Sequence, residues 1–176
     1  MAVLDIGAPA INRGNSYNPC TLIDTYNPAN DDGTIESFEI WAFLSLSSCK
    51  AGTFSGSGLD YDDRDYATLG SITSGSKQTF SGLSIDAITG DFVGTYFSAG
   101  AIERESTGGV ACYSKLGDQF GLGSQTYSKK TSYIISLYAE GTITPPGWTG
   151  KIDGIDDPAK IDNTDVADII KWDGIS

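Results

Sequence analysis

Thr34-Ile35-Glu36-Ser37-Phe38-Glu39-Ile40-Trp41-Ala42-Phe43-Leu44-Ser45-Leu46-Ser47 is the stretch whose reading decides the fold. Phe38, Ile40, Ala42, Leu44 and Leu46 fall on every second position, with Ser37, Glu39, Trp41, Phe43 and Ser45 between them. Successive side chains on a strand point to opposite faces, so this period predicts a strand with one face in a core. Trp41 and Phe43 interrupt the polar face, and the reading places them under a loop or at an interface.

Working outward, further short strands are expected at Thr21–Tyr26, Ala51–Ser55, Ala67–Ile72, Lys77–Leu83, Asp91–Phe97, Ile102–Glu105, Val110–Tyr113 and Ser132–Ala139. Gly, Ser, Asn and Asp separate them, and Asn27–Gly33 is dense enough in turn formers to be a loop. No segment before residue 145 carries a 3.6-residue apolar stripe. Many short strands at close spacing predict an all-β protein, an antiparallel β-sandwich of jelly-roll-like form. The sandwich is assigned to residues 20–143. Residues 1–19, with Pro9, Gly14 and Pro19, are read as an N-terminal arm or edge strand followed by a loop.

The composition changes at Thr144-Pro145-Pro146-Gly147, because Pro-Pro cannot continue a central strand. Residues 144–176 then repeat a short unit: Lys151-Ile152-Asp153-Gly154, Lys160-Ile161-Asp162-Asn163 and Lys171-Trp172-Asp173-Gly174. Gly and Asn share tolerance of positive φ, so each unit is expected to be a short strand and a tight turn. The tail has too few apolar residues for a core of its own. Its anchors Ile152, Ile155, Ile161, Val166, Ile170, Trp172 and Ile175 are therefore expected to dock on the body or on a neighbouring subunit.

The 176 residues carry 11 Lys and Arg against 23 Asp and Glu, a net charge of -12, and no His. That balance disfavours nucleic acid and anionic membrane surfaces, which need clustered cations. Without His the usual base of a hydrolytic triad is missing, as is the commonest transition-metal ligand. No apolar run reaches the roughly 20 residues that span a bilayer. The N-terminus lacks the basic and apolar regions of a secretory signal, so the expectation is synthesis in a cytoplasm without general export. Cys20, Cys49 and Cys112 make no Cys-x-x-Cys pair and are read as buried thiols, with a Cys20–Cys49 disulfide as the alternative.

Asp60, Asp62, Asp63 and Asp65 form the densest acidic cluster. They are weak calcium candidates because that ion takes oxygen ligands from flexible loops, but the EF-hand spacing is missing and a solvated loop is the preferred reading. Tyr61 and Tyr66 within this cluster, and Trp148, are candidates for stacking on a ligand. Glu103-Arg104-Glu105 offers paired carboxylates, yet on a strand it reads as surface charge. No nucleophile elbow or phosphate loop is present. No cofactor and no catalysis are expected.

The run from Asp32-Gly33-Thr34-Ile35-Glu36-Ser37-Phe38 through Gly75-Ser76-Lys77-Gln78-Thr79-Phe80 and Thr89-Gly90-Asp91-Phe92-Val93-Gly94-Thr95, with the Lys-Ile-Asp-Gly units, resembles uncharacterised β-rich proteins of tailed bacteriophages and uncultured prokaryotic viruses. The resemblance implies a structural virion component, a capsid decoration, tail or fibre protein located in the virion. Its partners would be copies of itself and other virion proteins. A glycan- or receptor-binding sandwich and an extracellular filament subunit are the alternatives.

Overall fold

The computed structural model describes residues 3–144 throughout, and beyond them four two-residue strands between 151 and 165. Among the described residues there is no helix. Thirteen strands lie in residues 3–144: β1 (Val3–Gly7), β2 (Asn15–Tyr17), β3 (Thr21–Asp24), β4 (Gly33–Ser57), β5 (Asp60–Ile72), β6 (Lys77–Ala87), β7 (Phe92–Tyr96), β8 (Ala99–Glu105), β9 (Ala111–Lys115), β10 (Gln125–Thr126), β11 (Ser128–Thr131), β12 (Ile134–Ile135) and β13 (Leu137–Ile143). All join one antiparallel hydrogen-bonded network. The chain is therefore all-β and antiparallel, as its periodicity predicts.

The segment that opened the sequence reading is the spine. Thr34–Ser47 and Ala51–Ser55, expected as two strands, are one strand of 25 residues. Along one edge β4 pairs with β13, then β8, then β7; along the other with β6, then β5. A strand this long must bend to cover a core, and bulges supply the bend. The register slips against β13 beside Glu36, and against β5 between Leu46 and Cys49, where Ser48 takes φ 50°. Each slip changes which parity faces the core. The buried positions run Ile35, then Phe38, Ile40, Ala42 and Leu46, then Cys49 and Ala51.

Leu44 corrects the simple alternation. It is in phase with Phe38 and Ile40, yet 56% exposed. Here β6 has ended at its Trp41–Lys77 pair and β5 begins only at Leu46–Ile72, while the pairing to β8 slips on both sides of Leu44. The core stops at this corner, and Phe43 is exposed beside Leu44.

Two apolar clusters lie on opposite faces of β3, β7 and β9. The larger holds Leu4, Ile6, Leu22, Phe38, Ile40, Ala51, Val93, Cys112, Ile135 and Leu137. The smaller is aromatic: Ile23, Phe54, Tyr61, Tyr113, Phe120 and Tyr127, with Phe92 and Tyr96 against it. Neighbours in sequence therefore serve different clusters, Leu22 one and Ile23 the other, which is why all four residues of β3 are buried. Gly52 and Gly94 are paired across β4 and β7. A Cβ on Gly94 would enter the Phe54 ring, so the glycine makes room for it.

Pairing runs in a ring around the aromatic cluster. β5, β4, β7, β3 and β9 follow edge to edge, and β11 lies on β9. One residue before β11, the N–H of Tyr127 donates to the carbonyl of Leu59, and β10 pairs back onto β5. Residues 125–131 thus close the circuit.

The N-terminus corrects the expected boundary at residue 20. β1 is the edge-strand form of that reading: it pairs with β13, and Leu4 and Ile6 are fully buried. Alternating apolar residues at 4 and 6 give it a core face, so the body begins with β1. Residues 1–144 and 145–176 separate as two compact units. Within the second, β14 (Lys151–Ile152) pairs with β15 (Ile155–Asp156), and β16 (Lys160–Ile161) with β17 (Thr164–Asp165).

Candidate functional site

The acidic run Asp60–Tyr66 is the start of β5 rather than a loop. Alternation sends neighbouring side chains to opposite faces, so the carboxylates do not converge. Among the described residues no group of three or more acidic, Cys or His side chains is gathered as a cation would require. Asp60 accepts from the Thr126 hydroxyl, Asp63 from the N–H of Gly121, and Asp65 from the N–H of Asp86. These bonds tie β5 to the segments beside it. Burial holds the Asp63 carboxyl above its usual range, with Asp62 adding to the effect.

The stacking candidates fall differently. Tyr61 is 3% exposed, its ring 4.7 Å from Tyr113 and 5.9 Å from Phe92, and so belongs to the interior. Tyr66 is partly exposed, with one side on Phe120 at 4.9 Å and Lys50 Nζ 4.9 Å from its ring centre. Of the tail anchors, Ile152, Ile155 and Ile161 lie on β14, β15 and β16. Trp148, Val166, Ile170, Trp172 and Ile175 lie outside the described residues.

Glu103 corrects the surface reading of Glu103-Arg104-Glu105: it is 3% exposed. Its Oε2 accepts from the backbone N–H groups of Arg13 and Gly14, at 3.0 and 2.9 Å. Arg13 Nε donates to Ser136 Oγ, which donates to the Ile11 carbonyl. Nearby, Asp24 accepts from the N–H of Tyr26 and of Ile135, at 2.8 and 2.9 Å, and burial pushes its carboxyl up to about 6. This network anchors the largely exposed segment of residues 9–14 to the body, a structural task.

The three cysteines are free and buried. Burial pushes the Cys20 and Cys49 thiols up to about 12, and Cys112 well above the ordinary thiol range. None is poised as a thiolate nucleophile.

A groove at the outer end of β9 and β11 has a different character. Two adjoining hollows of about 290 and 440 Å³ share Tyr17, Asn18 and Lys130. Tyr17, at the end of β2, sets its ring edge-on to Tyr133, centres 6.2 Å apart, and its hydroxyl meets Ser114 Oγ at 2.9 Å. The Arg104 guanidinium carbon sits over the Tyr133 ring, 4.4 Å from its centre, while its Nε donates to the Ser16 carbonyl at 2.8 Å. Lys115 and Lys130 complete the lining, which contains no carboxylate.

That sign stands out in an acidic chain. Within residues 3–144 the cations are Arg13, Lys50, Arg64, Lys77, Arg104, Lys115, Lys129 and Lys130. The first four form ion pairs, with Glu105, Asp118, Asp91 and Glu39. The other four make none among the described residues. Three of these line the groove, and Lys129 stands beside Lys130 on β11 with its Nζ 5.9 Å from the Tyr113 ring centre. The sequence reading passed over this site. Lys129-Lys130, the one basic pair in the chain, was the available signal.

Compared with family models, curated proteins and solved structures, the chain matches none.

Proposed function

We propose that the chain is a non-catalytic structural protein of a virus particle, a jelly-roll-like sandwich that associates with copies of itself and with other virion proteins. The observation that carries this reading is the division of labour along the chain. Residues 3–144 hold two apolar clusters of their own. Residues 145–176 repeat a lysine–apolar–aspartate unit with too few apolar side chains for a core, and the first two units pair β14 with β15 and β16 with β17. Such a repeat gains stability by burying its anchors on another surface. The likeness to β-rich phage proteins supports the same reading, and the net charge of -12 suits a subunit that stays soluble until it assembles. The absence of His and the three buried thiols speak against nucleophilic chemistry.

Light scattering after size exclusion tests the assembly, with the full chain beside a chain ending at Thr144. A defined oligomer that becomes monomeric on truncation supports tail-driven assembly; two monomers refute it. A second reading, a module that binds a glycan or receptor, is favoured by one specific observation: the cation-lined groove of Tyr17, Arg104, Lys130 and Tyr133.

A further inference from the structure

We infer that this groove takes a carboxylate-bearing saccharide, with Arg104 as its principal receptor for the carboxylate. The inference rests on the binding-module reading and is independent of whether the chain assembles through its tail.

Arg104 is held on two sides. Its Nε is committed to the Ser16 carbonyl and its guanidinium carbon sits over the Tyr133 ring, two contacts that restrain the guanidinium. Both Nη groups have no protein partner among the described residues. A planar fork fixed in this way is ready for bidentate bonding to a carboxylate, with little further ordering on binding. Lys130 and Lys115 flank it; Lys115 Nζ is positioned by Gln125 Oε1 at 3.0 Å. Like charges drawn together without counter-ions repel one another, and an anionic ligand relieves that repulsion.

The remaining lining selects the kind of anion. Asn18, Ser114, Thr126 and Ser128 present hydroxyl and amide groups, and Tyr17 and Tyr133 present half-buried rings. Hydroxyl-rich walls with a few aromatic surfaces suit a ligand that is itself hydroxyl-rich and carries apolar C–H faces. An acidic peptide offers charge but no matching hydroxyls.

The test is isothermal titration of the full chain with three hexamers: mannuronate, cello-oligosaccharide and glutamate. Mannuronate hexamer should bind, the neutral cello-oligosaccharide should not, and hexaglutamate should bind at least about tenfold more weakly. Affinity for mannuronate should fall as salt rises. Arg104→Gln should abolish it. Arg104→Lys, which keeps the charge but loses the fork, should weaken it by about tenfold. Lys130→Gln, at an exposed position, should weaken it without changing the melting temperature. Lys77→Gln on β6 should leave it unaltered. Hexaglutamate binding as tightly as mannuronate would overturn the saccharide assignment and leave a binding module for acidic protein. Failure of all three to bind, or undiminished binding by Arg104→Gln, would overturn the groove itself. The mass measurement reads the assembly proposal separately, so either can fail alone.

Discussion

Asp24→Asn gives the sharpest test of the interior. Asp24 is fully buried, and burial raises its carboxyl from 3.8 in a model peptide to about 6. A carboxyl raised on folding binds more protons in the folded state than in the unfolded state between those two values. Stability therefore increases as pH falls from about 6 toward 3.8, and this gain is lost as pH rises through 6. For values of 3.8 and about 6, acidifying from pH 7 to pH 5 adds on the order of 1 kcal/mol from this site alone. In the Asn variant that increment should vanish. The variant also replaces two acceptors by one, leaving the N–H of Tyr26 or of Ile135 facing an amide donor, which costs about 1–3 kcal/mol at either pH. Urea denaturation of both proteins at pH 7 and pH 5 separates the effects, because protonation of the shared carboxylates cancels in the comparison. The wild type should gain on the order of 1 kcal/mol more than the variant on acidification. Equal responses, or a larger gain in the variant, would refute the assignment of Asp24 as a buried, proton-binding group.

Three further outcomes follow from single features. The Tyr127 hydroxyl is buried without a protein partner among the described residues; Tyr127→Phe should be neutral or stabilising by up to about 1 kcal/mol in urea denaturation, and a marked loss would mean that the hydroxyl is bonded. Arg64 pairs with Asp91, whose side chain is only 4% exposed and also accepts from the N–H of Ile88; Arg64→Met should cost about 2–4 kcal/mol by thermal or urea unfolding, and a neutral result would show that Asp91 is solvated. Cys20, Cys49 and Cys112 should not react with Ellman's reagent in the native protein, whereas all three should react in denaturant; rapid native labelling would contradict their burial.

The strands were legible where a single face is buried. Phe38 to Ala42 alternate cleanly because one cluster lies on one side of them. Legibility fails where bulges change the parity, as at Glu36 and Ser48, since an inserted residue leaves no mark on composition. At β3 and at Ala51–Phe54 the expected strands are present, but both faces are covered, so no alternation told which residue serves which cluster. The acidic run Asp60–Asp65 looked like a loop because charge usually marks solvent. There the strand is fixed by its pairing to β4, a tertiary cause. Tyr61 was misplaced for the same reason: its burial depends on ring closure by residues 125–131. The groove draws Tyr17, Arg104 and the Lys130–Tyr133 stretch from three separate parts of the chain, and only the lysine pair hinted at it.

β13 lies between β1 and β4, so the first strand of the body is held by the last. As the chain emerges during synthesis, β1 and one edge of β4 over residues 33–40 wait unpaired until residues 137–143 arrive. Native pairings of such long sequence separation form slowly, and the open edge is exposed to other nascent chains meanwhile. Completion of the body therefore waits on residues 137–143. A polypeptide arrested before β13 should partition into aggregates rather than persist as a partly folded body.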